Sequence, residues 1–260
     1  MKILCIGDVC GSIGCKMLEK HMSRIKREHG IDFIVVNGEN SADGNGIMPQ
    51  SADWLLNIGA DVITGGNHSF RREEIFSYYE NNPCVLRPHN LKVADYGSGY
   101  YLADLGRTKI AVINLSGKIY LDRHDADNPF IVADELLDKA RQDGANIILV
   151  DFHAEATSEK RAMGFYLDGK VSAVFGTHTH VRTADLQILP EGTGYITDLG
   201  MTGTKNSVLG VKSEIIINRL KKNDMSRFEL ADGPCMINGC IFEIDEKTGK
   251  TIGVTPIYYE

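Results

Sequence analysis

The chain has 260 residues, of which 43% are hydrophobic and 24% charged, values ordinary for a globular protein able to bury a large core. A formal charge of -7 excludes a general binder of nucleic acid or of an acidic membrane surface, since both need a basic face. The six cysteines, at 5, 10, 15, 84, 235 and 240, form no C-x-x-C pair, which excludes a zinc ribbon and a disulfide framework.

The opening "MKILCIGDVCG" runs straight into an apolar strand without a cleavable leader pattern, and no run approaches 18 apolar residues. A reduced, cytoplasmic protein is the expectation. In chain order, strands are expected at 2–7, 32–37, 60–65, 109–114, 146–151 and 171–176, each short, β-branched and apolar at nearly every position. Such runs fit strands buried on both faces. Helical spacing occupies 16–28, 51–59, 72–80 and 131–143, so strand and helix alternate and an α/β fold with a largely parallel or mixed sheet follows. The basic runs at 24–28 and 219–222 read as solvated helix faces. Residues 239–257 alternate apolar and acidic positions around "EKTG", the pattern of a terminal β-hairpin. Without a repeat or a linker-like tract, 1–260 is expected to be a single domain.

Polar residues follow five of these strands. The first ends in "GDVCG" with Asp8, the second in "NGEN" with Glu39 and Asn40, and the third in "GGNHS" with Asn67 and His68. The fifth ends in "DFHAE" with His153, and the sixth in "GTHTH" with His178 and His180. The carboxyl ends of parallel strands share one edge, outside which ligands bind. Taken singly, Asp8 also fits a helix cap, Asn40 and Asn67 fit turns, and His153 fits a satisfied buried histidine. Taken together, carboxylate, carboxamide and imidazole at successive strand ends are a metal-ligand pattern. His21, His29, His89 and His124 lack such partners and are left outside it. Oxygen and nitrogen donors without thiolates suit Mn, Fe, Zn and similar ions rather than a structural zinc. The donors exceed what one four-coordinate ion can use. Two metals sharing a bridging carboxylate would use them, and such pairs, about 3.5–4 Å apart, serve in-line displacement at phosphorus.

The ordered blocks "GDVCG", "NGEN", "GGNH", "DFHAEATSEK", "GTHTHVRTAD" and "YITDLGMTG" resemble the YmdB-type branch of the calcineurin-like metallophosphoesterases over nearly the whole chain. The resemblance implies an α/β, four-layer αββα sandwich with a dinuclear centre and a phosphodiesterase acting on 2′,3′-cyclic nucleotides. Carried over by position, it makes Glu39 the bridging carboxylate, completes one metal with Asp8, Asn40 and His180, and completes the other with Asn67, His153 and His178. His68 would face the substrate as general acid, while a hydroxide between the ions attacks phosphorus. The ions so implied are divalent or mixed-valence, Fe or Mn first, with Mg and Zn as alternatives. The partner implied is a small phosphodiester, without membrane or general nucleic-acid binding, and a homo-oligomer is a family-level expectation.

Three positions depart from the expected pattern: Cys10 after "GDV", Gly66 before Asn67, and "SF" after His68 where a Thr-Trp-like pair is expected. None removes a ligand, and their bearing is on substrate preference through lining or supporting the pocket. Cys10 reads as a packing residue. Glu155, Asp185 and Asp198 are candidates to orient the histidines, with helix capping an equal alternative for "ATSE". Other functional readings are a broad phosphomonoesterase, a non-catalytic cyclic-nucleotide-binding regulator, and a His-rich amidohydrolase. The last presents His-x-His after its first strand, whereas here the first strand ends at Asp8.

Overall fold

The computed structural model describes residues 1–92, 95–121, 125–223 and 225–260; His124 lies outside the described residues. The chain opens with β1 (Lys2–Ile6), β2 (Asp8–Val9), α1 (Gly11–His29), β3 (Phe33–Asn37), α2 (Pro49–Ile58), β4 (Val62–Thr64) and α3 (Phe76–Asn81). It continues through β5 (Tyr100–Asp104), β6 (Lys109–Ser116), α4 (Pro129–Gln142), β7 (Ile147–His153), α5 (Thr157–Leu167) and β8 (Ala173–Thr177). The last part holds β9 (Gln187–Ile188), β10 (Gly194–Ile196), β11 (Met201–Thr204), α6 (Ser213–Lys222), β12 (Cys235–Ile244) and β13 (Thr251–Tyr259). Among the described residues no helix is long and apolar enough to cross a membrane.

These strands build two mixed sheets where strand-helix alternation alone suggested one. The first runs β2-β11-β12-β1-β3-β4 with β13 beside β12, and the second runs β5-β6-β7-β8-β10-β9. The reason lies in the side-chain alternation. In β1, Leu4 and Ile6 point to a core shared with α1 and α2, while Ile3 and Cys5 point to another shared with Ile110, Val112, Leu149 and Phe175 of the second sheet. In β7, Ile148, Val150 and Phe152 pack under α4 and α5, and Ile147 and Leu149 face the first sheet. A strand with two apolar faces needs a cover on each, so helix, sheet, sheet and helix stack in four layers.

β1, β3 and β4 are parallel to one another, as are β6, β7, β8 and β10. Pairing Asn37 with Thr64 in one sheet and His153 with Thr177 in the other brings the carboxyl ends level. Under this edge Asp151, fully buried, joins the sheets: it accepts from Asn37 Nδ2 at 3.0 Å, from Thr177 Oγ1 at 2.7 Å and from Thr64 Oγ1. Burial pushes its carboxyl up to about 6 against those hydrogen bonds. The expected hairpin is β12 and β13, registered from Ile237 opposite Tyr259 to Ile244 opposite Thr251.

Candidate metal centre

All the polar strand-end residues named from the sequence meet at that shared edge. Glu39 and Asn40 follow β3, and Glu39 is buried with Oε1 accepting from Asn40 Nδ2 at 2.9 Å and Oε2 from the His68 amide at 3.0 Å. Its Oε1 also lies 3.4 Å from His153 Nε2 and 3.5 Å from His68 Nδ1. Asn67, after β4, places Oδ1 2.9 Å from the same His153 nitrogen. His178 Nδ1 is 3.1 Å from His153 Nε2, and Asn40 Nδ2 is 3.2 Å from His180 Nε2. Asp8 accepts the His178 amide at 3.1 Å through Oδ2 and lies 3.7 Å from His180 Nε2 through Oδ1. His68 Nδ1 donates to Asn40 Oδ1, 3.0 Å away.

This arrangement fits divalent ions. One atom of each of Glu39, His153 and His178 lies within 4.8 Å of the others. Asp8 Oδ1 is fully buried without a hydrogen-bond partner among the described residues, a costly state for a carboxylate oxygen that a cation would satisfy. Burial raises the Asp8 carboxyl, opposed by His180 and His153. Burial also pushes Glu39 upward, yet His153 and His68 beside it hold its carboxyl below the usual range. His178 is lowered to about 3 by burial and by His153, so its ring is neutral and one nitrogen lone pair stays available to a cation at neutral pH. Gly66 shows why no side chain is tolerated before Asn67: a Cβ there would stand 2.2 Å from Glu39 Oε2 and 2.3 Å from His153 Nε2.

The histidine turn is held in an unusual backbone. His178 and His180 have φ of 102° and 63°, and strained positions of this kind cost of order 1–3 kcal/mol each. Besides Asp8, the turn is tied by Asp198, whose Oδ2 accepts the Thr179 amide at 3.1 Å and the Lys160 ammonium at 2.6 Å. Lys160 is itself 1% exposed and donates to the Thr177 carbonyl at 2.8 Å.

The other orienting groups divide. Glu155 Oε2 lies 3.1 Å from His178 Nε2. Asp185 instead engages Thr183, Thr197 and Arg161. α5 begins after Ala156 without a side-chain cap, and Glu159 accepts from the Lys118 and Ile119 amides, so the capping alternative for "ATSE" does not hold. The sequence reading missed Thr177, which meets His153 Nδ1 at 2.9 Å and passes on to Asp151, and Lys160. Thr177 was legible only as the residue before His178. The His180 ring meets the Leu209 carbonyl at 3.1 Å and Cys10 Sγ at 3.6 Å through Nδ1.

A cavity of about 680 Å³ opens over the cluster, lined on one side by Glu39, Asn40, His68, His178 and His180. The three sequence departures support this cavity without lining it. Ser69 Oγ accepts the Gly66 amide at 2.9 Å, and Phe70 packs edge-on against Phe76 and Tyr79.

A family model described as YmdB-like protein matches residues 4–257. The chain belongs to the YmdB-like family. A Bacillus subtilis (strain 168) relative, 2′,3′-cyclic-nucleotide 2′-phosphodiesterase, is 44% identical over 257 residues, 99% of this chain and 96% of that protein. A crystal structure of a novel phosphatase from Mycoplasma pneumoniae matches with a TM-score of 0.94 at 34% identity, covering 100% of this chain and 93% of that one. A Haemophilus influenzae NAD nucleotidase shares the fold alone, with a TM-score of 0.61 and 14% identity over 100% of this chain and 55% of that chain. The four layers of this YmdB-like chain are the αββα sandwich of the calcineurin-like metallophosphoesterases, as its motifs imply.

Proposed function

We propose that the chain is a metal-dependent phosphodiesterase that opens 2′,3′-cyclic nucleotides. The observation that carries this reading is the buried Asp8 oxygen without a hydrogen-bond donor among the described residues, set among Glu39, His153 and the His178–His180 turn at the mouth of a cavity. Kinship with a relative named as a 2′,3′-cyclic-nucleotide 2′-phosphodiesterase supports the substrate class. Glu39 would bridge two ions, with Asp8, Asn40 and His180 on one and Asn67, His153 and His178 on the other. When bound, the ions supply the activated oxygen nucleophile and neutralise the phosphoryl oxygens.

The residues then divide the remaining work. Two carboxylates, Asp8 and Glu39, against two divalent ions leave a positive site, which lets an acidic protein draw a phosphodiester anion locally. His68 lines the cavity, with Nδ1 held by Asn40 Oδ1, and its protonated ring would give a proton to the departing ribose oxygen. Thr177 and Asp151 hold His153, and the Leu209 carbonyl holds His180, in the orientation a cation requires.

The test is release of nucleoside monophosphate from 2′,3′-cyclic AMP by metal-stripped protein before and after adding Mn²⁺, with the product isomer identified. Metal-dependent formation of one isomer is expected. Turnover of phosphomonoesters alone would move the reading to a phosphomonoesterase. No turnover of either, with two ions bound, would leave a binding protein.

A further inference from the structure

The cavity has a second wall that the phosphoryl chemistry does not use. Opposite the ligands it is lined by Val208, Leu209, Val211, Ile216, Phe228 and Leu230, none of which carries a polar side-chain atom. This wall starts beside the metal cluster, because the backbone carbonyl of Leu209 is the partner of His180 Nδ1 at 3.1 Å. Leu209 itself holds a φ of 55° and remains 46% exposed. Phe228 is 50% exposed, large for an aromatic ring without a described ring partner. The Arg219 guanidinium stacks 4.2 Å from its ring centroid and does not line the cavity, so it holds the ring from behind. Local contacts tie the wall together. Val208 bridges Val211, Val211 bridges Leu230, and Gly44 packs so closely on Leu230 that a Cβ there would stand 2.6 Å from Leu230 Cδ2.

We propose that this wall is a nucleobase subsite, with Phe228 as its stacking platform and Leu209 as its nearest edge to the metals. The inference rests on the phosphodiesterase reading for the group bound at the other end of the cavity. A ligand anchored by a phosphodiester next to His180 carries its base into the adjoining space, where these six apolar side chains, one of them aromatic, line the cavity beside Arg227 and Glu229. A nucleobase has a π face whichever base it is, so stacking on Phe228 is open to all of them. Purines, with more ring area, bind more tightly than pyrimidines, and no single base is required. Substrate selection in this enzyme then lies in the ring area that Phe228 covers, separate from the chemistry at the ions.

The test compares 2′,3′-cyclic AMP with methyl riboside 2′,3′-cyclic phosphate, which lacks a base, on the Mn²⁺-loaded full chain. Calorimetric binding of adenosine 3′-monophosphate gives a readout independent of turnover. Phe228→Ala is expected to raise KM for cyclic AMP about tenfold or more and to weaken the nucleotide by a similar factor. The preference for the base-bearing substrate then collapses, while Phe228→Tyr retains it. An equal change on both substrates, or no change on either, overturns the subsite and leaves the phosphodiesterase reading standing. Phe228-dependent binding of the monophosphate by a protein that turns over neither substrate upholds the subsite and overturns that reading.

Discussion

The two walls of the cavity are built on opposite principles. The wall of proposed metal ligands is over-determined, with its carboxylates deeply buried: Asp8 is 0% and Glu39 1% exposed, and each proposed ligand touches at least one other. The facing wall, residues 208–223 and 225–230, hangs on a helix without a single buried residue, with Leu220 81% and Ile217 56% exposed on α6. Its contacts with the rest of the chain include Leu230 against Gly11 and Gly44. A site for ions must hold several donors at fixed positions and so draws them from strand ends inside two packed sheets. A surface that receives variable substrate groups tolerates, and uses, a less buried frame.

Substitutions can break this contrast. The largest effect is expected from His68→Ala, which removes the proposed general acid from the ligand wall and lowers turnover about 10²–10⁴-fold while the bound metal content is kept. Elemental analysis beside steady-state rates checks it, and a matching loss of metal would assign His68 to the ligands. Lys160→Met comes next, because it leaves the buried Asp198 carboxylate beside the Thr179 amide without its ion-pair partner. A cost of about 3–5 kcal/mol is expected in urea unfolding, with weaker Mn²⁺ binding because the strained His178–His180 turn loses its clamp. Lys160→Arg, keeping the charge, should recover part of the metal affinity. A stability loss with metal affinity intact would show that the pair serves packing alone. The smallest effect belongs to the outer wall. Leu230→Ala should cost less than the roughly 2–5 kcal/mol of a core leucine, and hydrogen exchange should speed up across 208–230 while the strands of β1 and β7 stay protected. Uniform loss of protection would mean that the two walls unfold as one unit.

What the chain shows on its face is tied to local chemistry. Six strands and the closing hairpin are legible because apolar runs and alternation are properties of neighbouring residues. The strand-end residues are legible because parallel topology sends every carboxyl end to one edge, which makes Asp8, Glu39, Asn67, His153 and His178 neighbours in advance of any coordinates. The strands β2, β5, β9, β10 and β11 carried too little pattern to be read, α6 was legible only as the basic helix face at 219–222, and Phe228 stood in a segment without a recognisable motif.

The sequence by itself determined the class of donors, their order along the chain and the alternation that makes each central strand apolar on both sides. The two-sheet stack was implied by the motif resemblance and not by the alternation, and only the tertiary structure decided that Asp151 bridges the two sheets. It also decided that His153 is oriented by Thr177 and that the strained histidine turn is tied by Lys160 and Asp198. The physical reason is range. Periodicity is set by residues a few positions apart, whereas a buried ion pair between 160 and 198, or a ring at 228 across from an imidazole at 180, depends on where the packed layers bring distant segments to rest.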